Sequence, residues 1–257
     1  MYLYGPVFSR RLGYSLGVDL LGSRVCDFAC LYCQLGKTAK KTGRRFWRVD
    51  LKRLGRELDF ALSRGREIDY VTISGSGEPT LHQHLDKIIA LIKKKVRGRA
   101  RTCVITNGSL LWMPQVRKEL LSADLVMPSL DASGEDAFKK INRPLKGLTL
   151  AKVVSGIAAF RKAYKGELWL EIMLIKGLND GDVSLEGFAR LINRIRPDKV
   201  FLNLPERSAP LARRSLMPAK DKIKKFERAI SRVCGLVRAK VLPRDAAPEL
   251  ANAQRHV

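Results

Sequence analysis

The chain has 257 residues, 46% hydrophobic and 29% charged, so it is large enough to bury a full core without disulfides or metal to hold the fold. Its 49 Lys and Arg against 25 Asp and Glu give a net charge of +24, a field that attracts polyanions, nucleic acid foremost, or else a simply basic solvated surface. No stretch approaches the roughly 18 consecutive apolar residues of a membrane span, and Met1–Arg11 lacks the charged start and apolar run of a secretion signal. Five cysteines, three of them clustered, fit a reducing compartment, so the expected location is the cytoplasm, with no membrane partner.

Taken in chain order, short β-branched runs alternate with apolar patterns at helical spacing. The first predicted strand covers Ser15–Leu20. The stretch from about Leu21 to Val49 then lacks periodicity and carries Cys26, Cys30 and Cys33. A helix is expected through Leu54, Leu58, Ala61 and Leu62, and a strand over Asp69–Ser74. The next helix runs through Leu85, Ile88, Ile89, Leu91 and Ile92. Strands follow at Thr102–Thr106 and Leu125–Leu130, then a helix through Val153, Ile157 and Phe160.

The strand Leu168–Ile175 leads to a helix on Phe188, Leu191, Ile192 and Ile195. The strand Lys199–Leu204 leads to a last helix on Ile223, Phe226, Ile230 and Val233. Asp180–Ser184 and Met217–Lys220 supply entry signals for these two helices. Basic clusters recur at Lys37–Lys41, Arg44–Arg48, Lys93–Arg101, Arg213–Arg214 and Lys222–Lys225. A core domain is expected over residues 1–210, with a C-terminal helical extension, 211–257, packed on it.

Six strand-then-helix units predict an α/β protein with parallel strands and right-handed crossovers. The sheet is either doubly wound and open or an incomplete barrel. Both place ligands at the C-terminal strand ends, where the long cysteine-bearing loop also lies. A long irregular loop in a compact domain is usually functional.

Three thiols in eight residues are one short of a closed zinc site, which takes four ligands. Asp27 is adjacent to Cys26, whereas His82, His84 and Cys103 are remote in sequence. Zinc completed by one of the remote residues is one reading. The other is an iron–sulfur cluster whose fourth iron stays open to a small molecule, with Phe28, Leu31 and Tyr32 shielding it from water.

Further motifs follow successive strands. Ser74-Gly75-Ser76-Gly77-Glu78-Pro79-Thr80 is a Gly-rich turn opening a helix, which is anion-binding geometry. Asn107 stands in Thr106-Asn107-Gly108, either as a turn residue or as a polar contact. Ser129 and Asp131 end the fourth predicted strand, and Asp131 is also suited to cap the next helix. Glu171 alternates with apolar residues on the fifth strand, so it is read as pointing inward, toward a ligand or a basic partner. Asn203 on the sixth strand is a weaker candidate of the same kind.

The stretch CDFACLYC resembles the CxxxCx(aromatic)C signature of the radical S-adenosylmethionine (radical SAM) superfamily. The resemblance implies a partial (β/α)6 TIM-like barrel of parallel strands. It also implies a [4Fe–4S] cluster on Cys26, Cys30 and Cys33, with S-adenosyl-L-methionine on the open iron. Reductive cleavage of that cofactor to a 5′-deoxyadenosyl radical, and hydrogen abstraction from a substrate, would follow. Ser76-Gly77-Glu78 matches the family's Gly-Gly-Glu motif, with serine for the first glycine. Tyr32, Asn107, Ser129, Asp131 and Glu171 become the remaining candidate cofactor contacts.

The opening Tyr4–Gly13, together with Ser15–Asp19 and CQLGKT, resembles the wybutosine-synthesis branch, whose enzyme acts on tRNA. That enzyme ligates a second cluster with cysteines upstream of the radical motif. Here the 25 residues before Cys26 contain none, so its product is not carried over. The expected substrate is macromolecular, with tRNA or other RNA favoured by charge and a protein or peptide kept as the alternative. A reducing partner such as flavodoxin or ferredoxin is expected. The rival of another class is a non-catalytic, zinc-stabilised nucleic-acid-binding protein.

Overall fold

The computed structural model describes residues 1–36, 38–46, 49–205, 216–233 and, for the backbone alone, 240–241. Lys37, Arg48, the Arg213–Arg214 cluster and Cys234 lie outside the described residues. The strands are β1 (Leu3–Ser9), β2 (Gly13–Val18), β3 (Val25–Cys26), β4 (Lys40–Lys41), β5 (Tyr70–Ile73), β6 (Arg101–Thr106), β7 (Leu125–Pro128), β8 (Glu167–Met173), β9 (Lys199–Asn203) and β10 (Lys240–Val241). The helices are α1 (Leu51–Ser63), α2 (Leu85–Val96), α3 (Pro114–Leu120), α4 (Glu135–Ile141), α5 (Leu150–Ala163), α6 (Asp182–Ile195) and α7 (Lys220–Val233).

The six predicted parallel strands are β2 and β5 to β9, and they lie side by side in chain order. This is the partial, TIM-like barrel that the resemblance implies: a curled parallel sheet with helices on its outer face. Two edge strands were not expected. β1 pairs antiparallel with β2, and β10 adds in parallel to β9. The Gly5-Pro6 pair, whose peptide is cis, breaks the register between Tyr4 and Val7 and hides β1 from a pattern search. α3 and α4 also escaped, because seven residues each give barely two turns of periodicity. The entry signal at Asp180 is used differently: Gly181 caps α6, while Asp180 accepts a hydrogen bond from Gly177 N (2.8 Å) and pairs with Lys222.

Alternation along the strands separates two cores. One parity, including Val71, Val104, Val126, Leu170 and Leu202, packs outward against the helices. The other faces the barrel interior, where Tyr70, Cys103, Leu125, Met127, Trp169 and Phe201 surround Leu12. α7 joins the outer layer through Phe226, whose ring lies edge-on to Phe188 at 6.4 Å. Phe226 and Ile230 are the buried residues of an otherwise charged helix.

Leu12 sits in the turn of the β1–β2 hairpin, at the N-terminal end of the parallel strands. The hairpin therefore plugs the barrel floor. Arg11 enters with it and forms an ion pair with Glu171 on β8, which also accepts a hydrogen bond from Asn203 Nδ2 at 3.0 Å. Burial lowers the Arg11 guanidinium to about 10, the Cys103 thiol opposing that shift and Arg10 adding to it. Removing one partner of a buried pair leaves an uncompensated charge, which costs about 3–5 kcal/mol. Arg11→Ala is therefore expected to destabilise the protein by about that amount in urea denaturation, and Arg11→Met with Glu171→Leu to recover most of it. Equal losses in the single and double variants would contradict this account.

Candidate active site

The cysteine loop lies on the C-terminal rim of the sheet, where the loops after β2, β5, β6, β7 and β8 meet. Its start is fixed by two short pairings. Val25–Cys26 pairs in parallel with Lys40–Lys41, and Val25 O accepts from Glu78 N at 3.0 Å. Its middle is tied to the end of α4: Ala29 N donates to Asn142 O (3.0 Å) and Leu31 N to Ile141 O (2.8 Å). Cys26, Cys30 and Cys33 are free and half-buried.

Two of the three thiols face side-chain amides held in matching ways. Asn107 Nδ2 lies 3.6 Å from Cys26 Sγ and donates to Asp27 Oδ1 at 2.7 Å. Asn142 Nδ2 lies 3.6 Å from Cys30 Sγ and donates to Asp131 Oδ2 at 2.7 Å. Each carboxylate fixes an amide, and each amide points at a sulfur. Such donors to cluster sulfurs set reduction potential. Burial, with Asp131 second, pushes the Cys30 thiol up to about 12. Burial also raises Cys26, helped by Asp27 and Glu78. Both are thiols at neutral pH, so binding metal releases their protons.

The donor set suits a cluster better than a single ion. Among the described residues, no three of His, Cys, Asp and Glu converge on one metal position. Two of the remote residues that could complete a zinc site lie elsewhere. Cys103 faces the barrel interior among Tyr70 and Trp169, and His82 is fully buried beside the Arg45 network described below. Three thiolates from one loop can each hold a different iron of a [4Fe–4S] cluster and leave the fourth to a non-protein ligand.

Asp131 does not cap α4, which starts at Gly134 without a side-chain cap. It is buried instead. Its Oδ2 accepts from Tyr32 OH (2.5 Å) and Asn142 Nδ2, and its Oδ1 from Met173 N (2.9 Å). Tyr32 is thereby oriented by the end of β7, and burial followed by the Asp131 charge keeps its phenol protonated. Asn107 serves as a turn residue as well as an amide beside Cys26. Its Oδ1 accepts from Ser109 N (2.9 Å) in a turn, while Gly108 carries the positive φ.

The turn after β5 is built around Gly77. A Cβ there would stand 1.8 Å from Val25 O, so only glycine lets this turn lie against the cysteine loop. Ser76 N donates to Asp19 Oδ2 (3.0 Å), and Ser76 Oγ binds the same oxygen. Glu78 is buried and committed to protein donors: Thr80 N, Thr80 Oγ1, Thr106 Oγ1 and Asn107 N, at 2.5–3.0 Å. Burial, then the Asp27 charge, raises its carboxyl to about 7. Its side chain ties the turn to β6. Ser129 is half-buried on the rim, bridged to Glu171, whose carboxylate is held below by Arg11.

The motif matches of the sequence pointed to Cys26, Cys30, Cys33, Tyr32, Ser76, Gly77, Glu78, Asn107, Ser129 and Asp131, and the fold brings all of them to this rim. Sequence reasoning missed Asn142, Asp27 and Arg11. Asn142 lies just past α4, a helix too short to show in the pattern, so nothing marked it. Arg11 had no signal beyond its place in a turn.

Residues 20–187 match the radical SAM superfamily model. The chain belongs to the radical SAM superfamily. Members are enzymes that work with a [4Fe–4S] cluster and S-adenosylmethionine, and this radical SAM chain is an enzyme with those cofactors. It also belongs with the UPF0026 proteins. It is 40% identical to one from Synechocystis over 82% of the chain and 78% of that protein, and 34% identical to one from Methanocaldococcus jannaschii over 86% and 68%. A Brachyspira hyodysenteriae protein described as GTPase Obg is 44% identical over 78% of the chain, which spans only 29% of that protein. In fold the radical SAM core is similar to TYW1 with a lysine-pyruvate adduct (TM-score 0.61, 21% identity, 85% of this chain and 73% of that one). It is likewise similar to Streptococcus suis SuiB bound to S-adenosylmethionine (TM-score 0.63, 15% identity, 91% and 52%).

His82, on the turn beneath this loop, makes stability depend on pH. Burial lowers its imidazole to about 4, with the Arg45 charge acting in the same direction. The folded protein holds it neutral, while the unfolded chain takes up its proton near 6.5. Stability from this group is full above about 6.5 and is lost as pH falls toward 4. In melts across that window, the advantage of wild type over His82→Gln is expected to shrink with acid. A constant difference would contradict it.

Proposed function

We propose that this enzyme modifies a macromolecular substrate, RNA in preference to protein, by radical chemistry at the cysteine loop. The observation that carries the reading is the shape of the barrel: its floor is filled by Leu12 and Arg11, and the half-buried thiols lie at its open rim. A substrate must come to the rim, which suits a reactive group presented on a larger molecule. The bound cluster and S-adenosylmethionine would supply a 5′-deoxyadenosyl radical that removes a hydrogen atom from that group. Cys26, Cys30 and Cys33 would hold the cluster, with Asn107 and Asn142 donating to two of its sulfurs. Tyr32, fixed by Asp131, would offer its ring to the cofactor. The glycine turn at Ser76–Glu78 and Ser129 would line the cofactor's other side, and the filled floor would keep water from entering below.

RNA is favoured by the +24 charge and by the exposed Lys40, Lys41 and Arg44 on the strap that follows the cysteines. A flavodoxin- or ferredoxin-like reductant would deliver the electron, and a cytoplasmic location would suit both partners. Anaerobic purification should yield a brown protein with about four irons that forms 5′-deoxyadenosine when reduced with dithionite. Cells with and without the protein should differ in modified nucleosides. A colourless protein retaining one zinc would refute the radical reading, and a change confined to the proteome would replace RNA with protein.

A further inference from the structure

A pocket of about 380 Å³ opens beside the cysteine loop, with Val25, Lys40, Thr42, Arg44, Phe46 and Gln83 among the residues that line it. The strap that forms it is held in place. Lys40 and Lys41 pair with Val25 and Cys26, and Thr42 N donates to Cys26 O (3.0 Å). Phe46 N donates to Leu81 O (2.9 Å), and Gln83 N to Phe46 O (2.8 Å). Arg45 also lines the pocket and anchors the strap. Its guanidinium donates to Thr80 O (2.8 Å) and His82 O (2.7 Å) and pairs with buried Glu119. That pairing consumes the charge of Arg45 and fixes the backbone on which its neighbours stand.

Lys40 and Arg44 differ from Arg45. Both are exposed, and among the described residues neither makes an ion pair. No carboxylate lines the pocket. The walls thus combine two uncompensated cations, the paired Arg45, a hydroxyl, an amide and one aromatic side chain around a concave space. Cations gathered in a concavity focus their field on an anion, and an aromatic neighbour adds affinity for a base or sugar. Val25, which also lines it, is one residue before the first thiol.

We propose that this pocket seats a backbone phosphate of an RNA strand and so registers the strand against the cysteine loop. Phosphate contacts position a nucleic acid without reading its sequence, which is what a reaction at a neighbouring nucleotide requires. The proposal rests on the RNA reading above and names the site that would hold it.

The test uses the full chain, purified and loaded anaerobically, and a short fluorescein-labelled single-stranded RNA followed by anisotropy through a salt series. Wild type is expected to bind with steep salt dependence. The double variant Lys40→Gln with Arg44→Gln should weaken binding about tenfold and flatten the salt slope by between one and two ions. Lys94→Gln with Lys224→Gln removes the same charge from exposed positions on α2 and α7 and should change affinity less than about twofold. Equal losses in the two doubles would overturn the pocket, as would displacement of RNA by an acidic peptide or a mononucleotide as readily as by unlabelled RNA. Wild type that binds no RNA would overturn it too.

5′-Deoxyadenosine formation by the same wild-type preparation separates the two claims. If it forms while the pocket double binds RNA as well as the control, the pocket is wrong and the radical reading stands. If it does not form while the pocket double alone loses RNA, the pocket stands and the radical reading fails.

Discussion

Gly77→Ala is expected to leave the protein unable to hold its cluster. The added methyl group would stand 1.8 Å from Val25 O, 2.8 Å from Val25 C and 2.7 Å from the Leu21 side chain. The first two are backbone atoms of the strand that carries Cys26, so neither can rotate away. Relief requires the turn and the cysteine loop to part, and the Glu78 N to Val25 O bond, 3.0 Å in the native protein, breaks with them. Overpacking of this kind costs about 1–3 kcal/mol, a loss the fold can survive. Cluster retention is more sensitive, because three thiols must keep their mutual placement. Iron per chain after anaerobic reconstitution is expected to fall from about four to below about one. Gly134→Ala, where a Cβ meets nothing within 4 Å, should keep full iron. A Gly77→Ala protein with full iron would show that the turn does not position the loop.

The second large effect belongs to Asp131. Its carboxylate joins the cysteine loop through Tyr32, the end of α4 through Asn142 and the end of β8 through Met173 N. Its backbone oxygen accepts from Asn179 Nδ2 at 2.7 Å. Asp131→Ala strands three donors, one buried and two part-buried, each costing up to about 1–3 kcal/mol before relaxation, so a net loss of about 3–5 kcal/mol is expected in urea denaturation. Tyr32→Phe alone should cost less. Combined with Asp131→Ala it should add little, a coupling of about 1–3 kcal/mol in the double-mutant cycle. Additive losses would mean that the phenol and the carboxylate act separately. Asn142→Leu carries a signature that general destabilisation lacks. Loss of its amide beside Cys30 should shift the cluster's reduction potential to more negative values in an EPR-monitored titration.

Much of this was legible because the relevant residues repeat at fixed spacings. The β-branched runs gave all six parallel strands, to within a few residues at their ends. The cysteine spacing and the glycine turn are local patterns, readable without knowing what lies across the sheet. What stayed hidden depends on contacts between distant segments. Glu171 could be placed facing inward by alternation. Its partner Arg11 could not be named, since any of 49 basic residues could have reached it. The contacts of Glu78 were hidden for a similar reason. Its motif marked it as a candidate cofactor contact, and only the fold shows Thr80, Thr106 and Asn107 around the carboxylate. Asn142 follows a helix that the pattern did not predict, and only the fold set it beside Cys30.

The hairpin that fills the barrel floor also constrains the order of events during synthesis. Leu12 and Arg11 leave the ribosome long before Trp169, Glu171 and Phe201, the residues they finally rest against. Until β8 and β9 exist, a charged guanidinium and an apolar side chain wait in water or against an incomplete wall. Contacts between such distant parts of a chain are entropically slow to close. The floor is therefore sealed only once β8 and β9 have formed, by contacts that join the first hairpin of the chain to the last parallel strands.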